Sequence, residues 1–376
     1  MAHKLPPIAL FGYDSSPFTQ KIRLALRFLQ LPYTFIIVPS MMPRPILVDN
    51  FNLTYRKIPV LAIGRDVFID TSLILEHLHS HPALRWYRQA QGAGAEIHHD
   101  TRGRVLARLL SSHYTDRPLF RLTTGLIPSV VWRTKFGDDR ARLIGHVLDP
   151  SKLEKKVPKN LASLDTYLSI LEPLFLEEQG GWFLGTEQPS AADISLWYQL
   201  EWGEKISRGE GIENLTGGGT ADGMGEGMKE VFNKARYPGL WDWYERFNTY
   251  VDGLPNVETR VERGDEVGIE KLMRMLEDVE QERDVPMLPT PAVSLQGLEE
   301  RIGLRIGTKV SIVPDDTGRG DPTVGKLVAI SPEEAVIEPD EPEVVGKKGR
   351  RARIERVRLH FPKVGFVIQP MKEAKL

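Results

Sequence analysis

Ser15-Ser16-Pro17-Phe18 is the stretch of this chain best placed to do chemistry. It follows an apolar run, Ile8-Ala9-Leu10-Phe11, and a turn, Gly12-Tyr13-Asp14, and it precedes an amphipathic pattern from Thr19 to Leu26. The order reads strand, turn, helix. Proline is tolerated in the first helical turn, where its missing N–H would have no partner anyway, and a serine just before it is a favoured N-cap. A hydroxyl is therefore held beside free backbone amides at the positive end of a helix dipole. An anion placed there, a thiolate or a carboxylate, gains about 0.3–2 kcal/mol from the dipole alone. Taken by itself the turn is also an ordinary capped helix, since Ser-Pro at a helix start carries no chemistry of its own.

Three other groups of residues invite a chemical reading. His77, His79 and His81 place two imidazoles four apart on a helix, but no carboxylate accompanies them at a familiar ligand spacing, and histidines in a last turn complement the helix dipole. His98 and His99 read as solvated. The glycine-rich Glu210–Met228 segment contains Gly217-Gly218-Gly219 but no lysine followed by serine or threonine, so it reads as a loop and not a phosphate cradle. Ser190-Ala191-Ala192-Asp193, ahead of Ile194, Leu196 and Trp197, is a capping box: the serine caps the helix and the carboxylate three residues on reaches back to the serine amide.

Composition bounds what these groups can do. No cysteine occurs in the 376 residues, which removes disulfides, thiolate metal ligands and any protein thiol nucleophile. A net charge of -2 gives no global attraction to nucleic acid or anionic lipid. The N-terminus lacks the apolar core of a signal peptide, and no apolar run reaches the ~18–20 residues of a membrane span. These features predict a cytoplasmic protein with no membrane partner and no nucleic-acid partner.

The elements around the Ser16 turn have a definite order. Tyr33–Val38 reads as a second strand, parallel to the first across the intervening helix. A loop rich in proline and methionine, 39–45, carries Arg44. Arg56-Lys57-Ile58-Pro59-Val60-Leu61-Ala62-Ile63 reads as a strand entered through proline, and Val67-Phe68-Ile69 as its hairpin partner. Asp70-Thr71-Ser72 then opens a helix that ends before Pro82.

In this order and spacing the first eighty residues resemble a glutathione transferase, in particular its serine-type classes. Ser16-Pro17-Phe18, Arg44, Lys57-Ile58-Pro59-Val60-Leu61 and Asp70-Thr71 fall in the family's sequence, with Asp70 and Thr71 standing for the usual Glu-Ser and Phe51 where proline is common. The resemblance implies a thioredoxin-like α/β domain over 1–86 and an all-helical glutathione-transferase C-terminal domain over 90–262. It implies glutathione as co-substrate, with Ser16 donating to its sulfur. Tyr13, at the end of the first strand, is the rival donor and Ser15 a second alternative. Arg44 and Lys57 would meet the glycine carboxylate, Ile58 would pair through its backbone with the cysteinyl unit, Pro59 would be cis, and Asp70 and Thr71 would hold the γ-glutamyl end. The signs agree, acid to amine and bases to carboxylate.

The resemblance implies conjugation of reduced glutathione to a small electrophile, by a homodimer; Tyr13, His113, Tyr114, Phe120 and Trp197 are candidates for the electrophile's wall. The alternative is a noncatalytic glutathione-binding or scaffold protein whose last domain recruits a partner. That last part departs from the family's plan. Residues 263–291 read as an acidic helix and a proline-rich linker. Residues 292–376 show five short strands separated by turn signals, as in a small all-β domain of SH3-like barrel type. A basic run, Lys347–Arg353, lies beside the acidic Glu338–Glu343, which cancels much of its field beyond a Debye length of ~8 Å; it reads as a solvated hairpin tip, with a nuclear address or a protein contact as the alternatives.

Overall fold

The computed structural model describes residues 5–92, 95–177, 180–210, 227–279, 284–289, 296–340 and 354–371. Gly217–Gly219, the linker end at Pro291 and the basic run Lys347–Arg353 lie outside the described residues.

The first eighty residues build as their apolar pattern dictates. Strand β1 (Ile8–Gly12) leads through the Ser16 turn into α1 (Pro17–Phe28), then β2 (Tyr33–Ile37) and α2 (Pro45–Phe51), the hairpin β3 (Val60–Ile63) and β4 (Asp66–Ile69), and α3 (Thr71–Ser80). β1 pairs parallel with β2 and antiparallel with β3, which pairs antiparallel with β4. This is a thioredoxin-like mixed α/β unit. Every residue of β1, β3 and β4 is buried, because helices cover both faces. Alternation sends Ile8, Leu10, Leu61 and Phe68 to the side of α1 and α3, and Ala9, Phe11, Val60 and Val67 to the side of α2.

The next part is helical. A short α4 (Pro82–Ala90) begins at the proline expected to end a helix, and α5 (Thr101–Leu110) runs on into a π-helical turn, Ser111–Leu119. Then follow α6 (Phe120–Thr124), α7 (Lys135–Ile144), the long α8 (Pro150–Glu177), α9 (Ala191–Ser207) and α10 (Pro238–Asp252). The capping box forms at the start of α9: Asp193 accepts from the amide of Ser190 at 2.9 Å while Ser190 caps the first turn. Its other oxygen accepts from Phe183 N at 2.8 Å and Trp243 Nε1 at 3.0 Å, so the same buried carboxylate fixes three segments.

The chain then returns to the sheet. β5 (Glu258–Val261) adds parallel to β2, a strand the sequence pattern did not announce. Arg23 grips Glu258 with two N–H donors, at 2.7 and 2.8 Å, and the Tyr33 hydroxyl reaches it at 2.5 Å. After α11 (Glu266–Glu277) and α12 (Gln296–Arg301) come β6 (Lys309–Pro314), β7 (Thr323–Ile330), β8 (Glu334–Pro339), β9 (Arg358–Pro362) and β10 (Phe366–Pro370).

Five strands were expected there and five form, but their arrangement corrects the expectation of a separate barrel. They pair in the line β10-β6-β7-β8-β9, and β9 joins β4 in parallel, giving one sheet of ten strands with no barrel closure among the described residues. The apolar side chains agree with the pairing: Val310, Ile312, Leu327, Ile337, Leu359 and Phe361 belong to the same buried cluster as Val60, Ala62, Val67 and Ile69. Residues 284–289 are not a free linker either, since Leu288 is buried and its amide donates to Glu334 at 3.0 Å. No helix among the described residues is long and apolar enough to cross a membrane.

Candidate functional site

The Ser16 turn has the predicted geometry. Ser16 adopts an extended backbone (φ -79, ψ 118) and its Oγ accepts from Thr19 N at 3.2 Å, which makes it the N-cap of α1 with Pro17 in the first turn. Accepting that bond leaves the hydroxyl proton uncommitted, and no acceptor for it exists among the described residues. Ser16 is only 3% exposed. Neighbouring Ser15 is also buried, and its Oγ has no hydrogen-bond partner. Ser15 lines a cavity of about 260 Å³ with Asp14, Gln20, Trp197, Trp202 and Lys205. Strand and helix approach closely at this turn: a Cβ on Gly12 would lie 2.5 Å from Thr19 Cγ2, so glycine is required.

The second element is the start of α3. Asp70 is its N-cap, accepting from Ser72 N at 2.9 Å and Ser72 Oγ at 2.7 Å. It holds φ at +73°, a conformation that costs a non-glycine residue about 1–3 kcal/mol and that tends to persist where function depends on it. Thr71, buried, stands 3.5 Å from Asp116. That contact opens a buried network that sequence reasoning missed. Lys21, fully covered although it belongs to an amphipathic helix, donates to both oxygens of Asp116 (3.0 and 2.9 Å) and to Ser111 at 2.6 Å. Tyr198 donates to Asp116 at 2.6 Å, and burial reinforced by that carboxylate drives the phenol well above its usual range. The π-helical turn carrying Asp116 is thereby locked beneath α1 and α3.

Arg44, Lys57 and the cis bond form the third element. The Ile58–Pro59 bond is cis. Arg44 is buried, and all three guanidinium nitrogens donate to carbonyls of its own surroundings: Nε to Pro39 at 2.8 Å, Nη2 to Ser40 at 2.9 Å and Nη1 to Arg56. Burial lowers its pKa to about 10. Arg44 thus braces the loop before α2. Lys57 is partly exposed and donates to Asp316 at 2.5 Å, a residue of the β6–β7 loop. Ile58 packs against the cluster shared with the C-terminal strands.

The residues proposed for an electrophile's wall are distributed. Trp197 lines the cavity beside Ser15. Tyr13 and Phe120 pack with Met41, Trp132 and Phe136, and the Tyr13 hydroxyl accepts from Arg140 at 3.3 Å. Tyr114 turns its hydroxyl to the Tyr167 carbonyl at 2.5 Å. His113 lines a second cavity of about 210 Å³ with Ser72, Arg108 and Glu333.

The histidines need a correction. His98 is buried and bonded to Glu76 at 2.9 Å, not solvated, because Arg104 and Arg108 make Glu76 the centre of a covered ion cluster. His77 is likewise buried and bonded to Glu334 at 3.0 Å. Among the described residues, His77, Glu334 and His360 are the one group whose donor atoms lie close enough to share a metal ion. They satisfy one another instead: His360 Nδ1 is 2.6 Å from Glu334 and its Nε2 3.0 Å from Asp66, while Arg358 holds Asp66 at 2.5 and 2.7 Å. Burial opposes charge here, yet the hydrogen bonds from His360 and His77 keep Glu334 down to about 2, and the two carboxylates raise His360. Every member is drawn from β4, α3, β8 or β9, so the network rivets the added strands to the thioredoxin-like unit.

The chain therefore has a thioredoxin-like unit followed by helices, with further C-terminal strands. Residues 10–86 match the family model for the glutathione S-transferase N-terminal domain, and residues 124–214 match a domain of unknown function. Glutathione S-transferases U4 and U1 of Arabidopsis thaliana are each 30% identical over 78 residues, 21% of this chain and 34% of those relatives. The chain thus matches about a third of the length of these curated relatives. A crystal structure of a GST-like protein from Pseudomonas syringae is 19% identical and covers 97% of this chain and all of its own, with a TM-score of 0.61. That likeness extends through the C-terminal strands and concerns the fold.

Proposed function

We propose that the protein binds reduced glutathione and conjugates it to a small electrophile, with Ser16 donating a hydrogen bond to the glutathione sulfur. One observation carries this reading: the serine hydroxyls at the positive end of α1 have unspent hydrogen-bonding capacity, Ser16 as donor and Ser15 altogether. A free thiol titrates near 8.5, and a donor fixed in advance at a covered position beside a helix N-terminus favours the thiolate at neutral pH. Nearness of the bound electrophile then supplies the rest of the acceleration. Asp70 and Thr71 are proposed to hold the γ-glutamyl end and the backbone of Ile58, beside cis-Pro59, to pair with the cysteinyl unit. The proposal includes a homodimer in the cytoplasm, by resemblance.

A second reading, a noncatalytic glutathione-binding or scaffold protein, is favoured by the added strands, which extend the sheet beyond the two-part unit and hold the segment before cis-Pro59 through Asn52 and Lys57. Retention on immobilised glutathione, followed by a turnover assay with a model aryl halide, separates the two. Retention with turnover supports conjugation, retention alone the second reading, and neither outcome in the whole protein would refute both.

A further inference from the structure

The β6–β7 loop, residues 315–322, crosses from the added strands to the segment that leads into β3. It is docked along its length: Asp315 N donates to the Gly365 carbonyl at 2.9 Å, Gly318 N to the Leu143 carbonyl at 2.8 Å, and Thr54 Oγ1 to the Pro322 carbonyl at 2.7 Å. Arg56 stands 3.5 Å from Asp321. At the centre of the loop, Asp316 takes the Lys57 ammonium at 2.5 Å, with the lysine side chain 28% and the aspartate 49% exposed.

We propose that Asp316 is a specificity-determining residue: an internal carboxylate that competes with the terminal carboxylate of glutathione for Lys57. This rests on the glutathione reading above. The argument is one of charge and place. Lys57 has one ammonium group, and a ligand carboxylate must share or displace the one already 2.5 Å away. A half-exposed pair is weak, worth a small multiple of thermal energy, so it tunes affinity and does not block the site. The protein accordingly takes thiol ligands that lack this carboxylate, such as a glycyl ester of glutathione, at little disadvantage to glutathione itself.

The test is calorimetric titration of the full chain with glutathione and with its glycyl ethyl ester, in wild type, Asp316→Asn and Asp321→Asn. Asp316→Asn should tighten glutathione about twofold to fivefold, the upper range of an exposed ion pair, and leave the ester unchanged. Asp321→Asn, on the same loop but facing Arg56, should leave the ratio of the two affinities as in wild type. An unchanged ratio in Asp316→Asn, with wild type binding glutathione, overturns the inference alone. An equal gain in Asp321→Asn overturns it too, by assigning the effect to loosening of the loop. If neither ligand binds any of the three proteins while all melt cooperatively, the glutathione reading itself falls.

Discussion

Replacing Ser16 by alanine removes one hydroxyl from a covered helix N-terminus, and the size of the effect follows from what that hydroxyl is proposed to do. A hydrogen bond to a charged acceptor contributes about 1.5–3 kcal/mol, and one pKa unit corresponds to about 1.4 kcal/mol. The bound thiol should therefore titrate about one to two units higher in the variant. Below the wild-type pKa, conjugation should fall about tenfold to a hundredfold, and the deficit should close as pH approaches 9.5, where both thiols are ionised. The assay is the pH profile of conjugation to an aryl halide together with the thiolate absorbance of bound glutathione. Loss of the N-cap also costs about 0.5–2 kcal/mol of stability, so Ser16→Thr, which keeps hydroxyl and cap, serves as the control and should restore the profile. A loss independent of pH would refute the donor role. So would an unshifted thiolate absorbance, and a shift produced by Ser15→Ala or Tyr13→Phe instead would move the role to that residue.

Asp116→Ala should destabilise the protein by about 3–5 kcal/mol in urea unfolding, because it leaves the fully covered Lys21 ammonium without its counter-charge. Glu334→Gln tests the seam between β4 and β9. The Glu334 carboxyl, held near 2 against an ordinary 4.5, binds its proton less readily when folded, so its contribution of about 3 kcal/mol is full above pH 4.5 and lost as pH falls toward 2. The stability difference between wild type and Glu334→Gln should shrink over that interval, and a constant difference would count against the assignment. A chain ending at residue 283 should aggregate, since β4 would lose β9 and present a buried, largely apolar edge to other chains. Light scattering checks this, and a monodisperse, cooperatively melting fragment would contradict it.

The local elements were legible because each is written in neighbouring residues. Ser16-Pro17 specifies a capped helix start, Ser190 to Asp193 a capping box, and the short apolar runs Val60–Ile63 and Val67–Ile69 on either side of a Gly-containing turn a hairpin, and all three form. What pairs across the chain was not legible. Lys21 sits in an amphipathic pattern as any solvated lysine would, and only the return of the π-helical turn with Asp116 makes it a buried cation. Histidine in a last helical turn reads as a dipole partner, and His77 becomes something else only because β8 delivers Glu334 from 257 positions away. The five C-terminal strands have the short spacing of a small barrel, and nothing in their pattern distinguishes closing on themselves from adding to an existing edge. The choice lies with β4: its polar first residue, Asp66, is matched to Arg358 and His360 on β9, and that match is visible only in the folded chain.

The same placement bears on the candidate site. The segment from Asn52 to Lys57, which delivers the chain to cis-Pro59, is gripped by the added strands at every other residue or closer. Asn52 donates to the Asp340 carbonyl at 2.6 Å, Thr54 to Pro322, Arg56 approaches Asp321 and Lys57 pairs with Asp316. A segment so held has few alternative conformations, and a ligand pairing with the backbone at Ile58 would meet it already ordered. The first eighty residues supply the serine, the aspartate N-cap and the cis-proline turn, but the geometry of the basic end is fixed by residues some 260 positions further on. Extending the sheet through β9 is what brings that loop to the mouth of the segment, so the C-terminal strands act on the candidate site through position and charge.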